Sequence, residues 1–166
     1  KSGPSGILAV DKTRIHPMLY YTLGYLYEQV GSRERERDQF ALAVKGDPAF
    51  VFPHRVEEID VLRSALSYDP NDGRAAYYLG NVLASKNRDN EALIAWREAV
   101  RFDAGNTVAQ RNYARALWLV SQHRDEAAAQ YQRAISVSPT DFRLYVEFDK
   151  LLAEMSATER RIKLLE

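Results

Sequence analysis

The stretch "AAYYLGNVLASKNRDNEALIAWREAV", residues 75–100, decides the fold. Its apolar and small residues recur three and four apart: Ala76, Leu79, Gly80 and Leu83 in the first half, Ala92, Trp96 and Ala99 in the second. That spacing lays a stripe along one face of an α-helix. Between the halves, "SKNRDN" (85–90) is polar throughout, so the chain is expected to turn there. Glycine inside a helix costs about 0.5–1 kcal/mol against alanine, and Gly80 is therefore expected where two backbones come close. Two striped helices, a short polar turn and a small residue at the contact describe an antiparallel helical hairpin.

The same spacing recurs on both sides. Tyr20, Leu23, Gly24, Tyr27, Gly31, Phe40, Ala43 and Pro48 precede it in the same order. Tyr113, Ala114, Leu117, Ala127, Tyr131, Ala134 and Pro139 follow, with one extra residue between the two halves, and a last copy begins with Tyr145, Phe148 and Leu152. Gly80 follows Gly24 by 56 residues, but Ala114 follows Gly80 by only 34. The excess is the 22 residues from Pro48 to Pro70, room for one helix and not for a pair. That segment, "FPHRVEEIDVLRSALSYDP" (52–70), keeps a second-helix pattern, with Leu62 and Ala65 at the aromatic and alanine positions. One repeat is therefore expected to be half present. The preceding "DPAFVFPHR" (47–55) is expected to cross the place of the missing helix and plug it with Phe50, Val51 and Phe52, since three large apolar residues together favour burial.

The six prolines, Pro4, Pro17, Pro48, Pro53, Pro70 and Pro139, fall outside the apolar stripes. An interior proline costs a helix about 3 kcal/mol, so they mark boundaries. Helices are predicted over 17–30, 34–45, 54–68, 74–86, 89–102, 107–121, 124–137, 141–154 and 157–165, with no strand, and the fold class is all-α.

At 166 residues the chain can bury a core without staples. It contains no cysteine, which rules out disulfides and thiolate metal sites and agrees with a reducing, cytoplasmic setting. Lysine plus arginine number 23 and aspartate plus glutamate 23, so no overall field favours nucleic acid or an anionic membrane. No apolar run reaches the roughly 18 residues of a membrane span. Starting at Lys1 without a methionine, the chain is expected to be a fragment of a larger protein.

The repeat offsets resemble the tetratricopeptide repeat, whose 34-residue pattern runs aromatic, Leu-Gly, Tyr, Ala, aromatic, Ala and Pro. The resemblance covers most of 17–166 and implies an α-α superhelix of antiparallel pairs with one half-repeat. It divides the chain into a linker or the end of a preceding element (1–16), repeat 1 (17–48), the half-repeat (49–70), repeat 2 (73–106), repeat 3 (107–141) and a truncated repeat 4 (142–166). The series "HPMLYYTLGYLYEQVG", "FVFPHRVEEIDVLRSAL" and "AAYYLGNVLASKNRDNEALIAWREAV", with "VAQRNYARAL" and "RRIKLLE", is similar to a narrower group. These are the carboxy-terminal repeat regions of large bacterial proteins that also carry a sugar-mutarotase-like β-sandwich domain of unknown function. Two departures stand out: Glu36 replaces a small residue of the first repeat, and Asp149 the close-packing glycine of the fourth.

Residues able to do chemistry are few. His16, His54 and His123 each border a predicted helix and share no metal-ligand spacing. No phosphate loop, nucleophile elbow or dinucleotide fingerprint occurs. Glu57, Glu58 and Asp60 read as a solvated helix face, and "SRERERD" (32–38) as exposed intrahelical pairs. No enzyme activity, metal or cofactor is expected. Stacked repeats line a concave groove with their first helices, which by the repeat offsets presents Tyr21, Tyr25 and Glu28; Tyr77, Asn81 and Ala84; Arg111, Arg115 and Trp118; and Val146, Lys150 and Ala153, flanked by Asn112 and Arg143. Aromatics and arginines dominate binding energy at interfaces. Tyr21, Tyr25, Tyr77, Asn81, Arg111, Asn112, Arg115, Trp118 and Arg143 are thus the expected peptide-binding set.

Some tetratricopeptide domains grip a terminal carboxylate with asparagines and basic residues. Asn81, Asn112 and Arg143 match such positions, whereas Tyr77 and Glu147 replace the basic ones. The expected function is a non-catalytic scaffold for a protein or peptide, or for the adjacent domain of the same chain. The alternatives are an accessory region of a carbohydrate-active enzyme whose catalytic domain lies outside this sequence, and an RNA-binding helical repeat, which the zero net charge disfavours.

Overall fold

The computed structural model describes residues 15–46 and 51–155. It contains eight α-helices and, among the described residues, no strand. None of these helices is long and apolar enough to cross a membrane. The chain divides into two compact units, residues 1–51 and 52–166.

The first unit holds α1 (Pro17–Gln29) and α2 (Arg33–Lys45), packed as a hairpin. Pro17 occupies the first turn of α1, where its missing N–H costs nothing. A Cβ on Gly24 would stand well inside contact distance of the Phe40 ring, so the glycine is what lets the two helices meet. Glu36 is buried on α2 among the described residues, and Tyr21 and Phe40 pack with their ring centroids 6.4 Å apart.

The second unit holds α3 (Glu57–Tyr68), α4 (Gly73–Ser85), α5 (Asp89–Phe102), α6 (Thr107–Leu119), α7 (Arg124–Val137) and α8 (Phe142–Glu154). Each packs on the next in chain order. Gly80 of α4 faces Trp96 of α5 as Gly24 faces Phe40. Where glycine gives way to Ala114, the helix pair keeps its small contact residue, and Ala114 is fully buried.

The ends of the helices repeat as faithfully as their stripes. The turns after α1, α4 and α6 each contain one left-handed residue, Gly31 (φ 69°), Asn87 (φ 57°) and Gln122 (φ 60°). Ser32 N–H donates to the Tyr27 carbonyl and Arg88 N–H to that of Leu83, the bond that closes a helix end through a left-handed residue. After α6 the corresponding bond runs from His123 N–H to the Leu117 carbonyl, one residue wider. The extra residue between the halves of this helix pair therefore sits in the turn between α6 and α7. Helix α6 keeps the 13 residues of α1 and α4.

Helices α3, α5 and α7 also share an ending. Asp69, Asp103 and Ser138 terminate them in nearly the same extended conformation, and each donates its N–H to the carbonyl of an alanine, Ala65, Ala99 or Ala134. Asp72, Asn106 and Asp141 then cap α4, α6 and α8 through their side chains. Helix α3 thus ends as α5 and α7 do and leads into the same capped turn. Between Gly46 and Pro70 it is the one helix among the described residues, as the 22-residue interval requires.

The plug expected over 47–55 is corrected in part. Val51 and Pro53 are buried, but Phe52 is 70% exposed. The alternation is that of extended backbone, where neighbouring side chains point to opposite sides. The segment ends at α3, whose Glu58 carboxylate accepts from both His54 N–H and Arg55 N–H at 2.7 Å. Phe50 lies outside the described residues, as do most of the linker over 1–16 and the helix over 157–165.

Candidate functional site

In the first unit, Tyr21 does not face a groove: it is fully buried against Phe40. The buried side of α1 takes in Met18, Tyr20, Tyr21 and Gly24, a wider face than one repeat position suggests. Tyr25 is half-buried and Glu28 exposed.

In the second unit three of the expected residues, Asn81, Asn112 and Arg115, meet at a recess of about 530 Å³ between α4, α5 and α6. Its lining includes Asn81 and Ala84 from α4, Asp89 and Trp96 from α5, and Asn112, Arg115, Leu119 and Val120 from the α6 region. Asn81 Oδ1 accepts from Trp96 Nε1 and from Asn112 Nδ2, both at 3.0 Å. An indole N–H can only donate, which fixes the Asn81 amide with its oxygen toward Trp96. The Asn81 NH₂ and the Asn112 oxygen are then the donor and acceptor the pair has left to offer. Tyr77, one turn earlier on α4, is half-buried with its ring 5.5 Å from that of Tyr78.

Arg115 is exposed and makes no ion pair among the described residues. Arg111, one turn before it, is engaged. Its Nε donates to Glu147 Oε2 at 3.0 Å, and its terminal nitrogen to Glu147 Oε1. The two side chains are 22% and 16% exposed, so this bidentate pair is largely shielded from water. Tyr131 of α7 donates its hydroxyl to the same carboxylate at 3.1 Å. Burial, together with the charge of Glu147, pushes the Tyr131 phenol far above its ordinary value. Trp118 is buried, and its Nε1 donates to Glu154 Oε2 at 2.8 Å. Arg111 and Trp118 thus join α6 to α8, and the sequence expectation that both stand ready for a ligand is corrected.

Arg143 is exposed and turned onto Asp141, the cap of its own helix, at 2.7 and 2.8 Å. The guanidinium holds the Asp141 carboxyl below the usual carboxylate range. Tyr113 donates to Glu126, and burial first, then that hydrogen bond, pushes its phenol up to about 12.

Glu147 and Glu154 were not among the expected site residues. Each lies 36 positions after its partner on α6, one repeat and a step, so the signal was present in the repeat register. A second recess of about 400 Å³ lies among α3, α4 and α5, lined by Leu66, Leu79, Leu83 and Ile94, where Arg63 of α3 pairs with Glu91 of α5 at 3.0 Å. His16 and His123 stand just before α1 and α7, and the His123 ring lies 3.8 Å from Glu126. Among the described residues no cluster of histidine and carboxylate side chains could hold a metal ion.

No protein-family model matches the chain, and no curated protein matches it.

Proposed function

We propose that the chain is a stack of tetratricopeptide-type hairpins with one half-repeat, and that it acts as a non-catalytic scaffold binding a polypeptide segment along α4, α6 and α8. The recurrence of left-handed turn residues, alanine-bonded helix ends and side-chain caps supports the repeat reading. The observation that carries the binding reading is the 530 Å³ recess, where a fixed amide pair, an exposed guanidinium and exposed Leu119 and Val120 meet. A peptide needs such a mixture: side-chain amides to pair with its backbone, apolar surface for a side chain, and a charge to set the register. The bound segment belongs to another protein or to an adjacent domain of the same chain. A grip on a terminal carboxylate gains no support, because Arg143, the one basic residue at a matching position, is turned onto Asp141.

The test is selection of random dodecapeptides, displayed without a free carboxy terminus, against the wild-type domain and against Leu119→Asp. Enriched peptides that bind the wild type and lose at least about tenfold in affinity for the variant, at unchanged melting temperature, are the expected result. Failure to enrich any peptide, or equal binding to the variant, would reject the reading.

A further inference from the structure

The two bridges between α6 and α8 are evenly spaced. Arg111 and Trp118 are seven residues apart on α6, and their partners Glu147 and Glu154 are seven apart on α8. Two helical turns lie between the bridges on each helix, so the helices run parallel there in fixed register. One rung remains in the middle. On its inner side stand Ala114 and Leu151, both fully buried. On its outer side stand Arg115 and Lys150, both exposed. Helix geometry sets these two on the same side of the seam, since Arg115 follows Arg111 by four residues and Lys150 follows Glu147 by three.

Two cations are therefore held near each other by bridges on either side, and among the described residues neither has an ion pair. The carboxylates nearby are committed or turned away. Glu147 accepts from Arg111 and Tyr131, and Glu154 from Trp118. Asp149 lines a recess between α7 and α8 instead. Counting Arg111, Arg115 and Lys150 against Glu147 and Glu154, the seam keeps one positive charge in excess. Apolar side chains flank it, with Leu119 about half exposed on α6 and Val146 about half exposed on α8.

We infer that Arg115 and Lys150 form a two-cation cradle for an internal aspartate or glutamate of the bound segment, with Leu119 and Val146 receiving aliphatic side chains beside it. This rests on the proposed groove and adds to it the chemistry of the partner: acidic and aliphatic, read within the segment and not at its end. Like charges placed side by side repel, and an anion between them relieves the repulsion as well as pairing with both.

The dodecapeptide selection tests this separately from the groove itself. Peptides selected on the wild type are expected to be enriched in aspartate and glutamate, and those selected on Arg115→Gln/Lys150→Gln are not. For an enriched peptide synthesised with both ends capped, changing its central acid to the amide should weaken binding to the wild type about fivefold, the upper range for an exposed charge pair. The same change should have less than about twofold effect on the double variant. Binders that depend on Leu119 yet show no acidic enrichment, or an acid preference that survives in the double variant, would overturn the cradle and leave the groove standing. Absence of any binder would overturn both. Both cations are exposed, so the double variant should keep the melting temperature of the wild type.

Discussion

Gly80 and Trp96 leave no room between them: a methyl group on Gly80 would overlap the indole at Cδ1 and Nε1. The indole cannot swing aside cheaply, because its N–H is bonded to Asn81. Gly80→Ala should therefore destabilise the second unit by about 1–3 kcal/mol through overpacking, despite alanine's better helix propensity. Gly105 is the control, because a Cβ there meets only Asp103 Oδ1, at an ordinary 3.7 Å. Thermal unfolding followed by circular dichroism should show a fall for Gly80→Ala and no fall for Gly105→Ala. An unchanged midpoint for Gly80→Ala would mean that the contact is looser than described.

The shielded pair of Arg111 and Glu147 gives a second expectation. Removing either partner leaves the other charge without its neutralising group, so Arg111→Ala and Glu147→Gln should each cost about 1–3 kcal/mol. The double variant should cost less than the sum of the two, with a coupling of about 1 kcal/mol or more in urea denaturation. Additive losses would show that the bridge contributes nothing to stability.

Tyr113 makes stability fall in alkali. Its phenol, pushed up to about 12 in the folded protein, titrates near 10 once unfolded. Above pH 10 the unfolded chain releases this proton and the folded one keeps it, so stability is present below pH 10 and is lost as pH rises toward 12. Urea midpoints measured between pH 9 and pH 12 should decline, and Tyr113→Phe should make the decline shallower. An identical slope in the variant would remove Tyr113 from the account.

The cap of α4 can be tested by two substitutions at one position. Asp72 accepts from Arg74 N–H at 3.0 Å and from Ala75 N–H at 2.9 Å. Asp72→Ala should cost about 1–2 kcal/mol, whereas Asp72→Asn, which keeps an oxygen at the same place, should cost a small fraction of that. Equal losses would point to the charge and not to the cap.

Most of the helices could be read from the sequence because each carries its own punctuation. Apolar stripes gave the faces, while prolines and capping residues gave the ends. The observed α5 and α7 coincide with their predicted bounds, and the described others differ by one to three residues at an end. The single helix between Gly46 and Pro70 was legible as an arithmetic misfit of 22 residues. The site was less so. A stripe says which way a residue faces on its own helix, but not which long side chain from the next repeat reaches back to it. Glu147 thus claims Arg111, and Glu154 the indole of Trp118. Tyr21 was misplaced for a related reason, since α1 buries two adjacent tyrosines where the repeat offset predicts one. Phe52 was misread because a cluster of apolar letters hides the alternation of extended chain.

The corner formed by residues 120–123 spends one residue more than those after α1 and α4, yet the helices on both sides keep their lengths. Val120 in this corner lines the recess, but Gln122 and His123 are exposed and stand outside it. These two are accordingly the place to graft a fluorophore, an affinity tag or a tether, at a surface bend that tolerates added length.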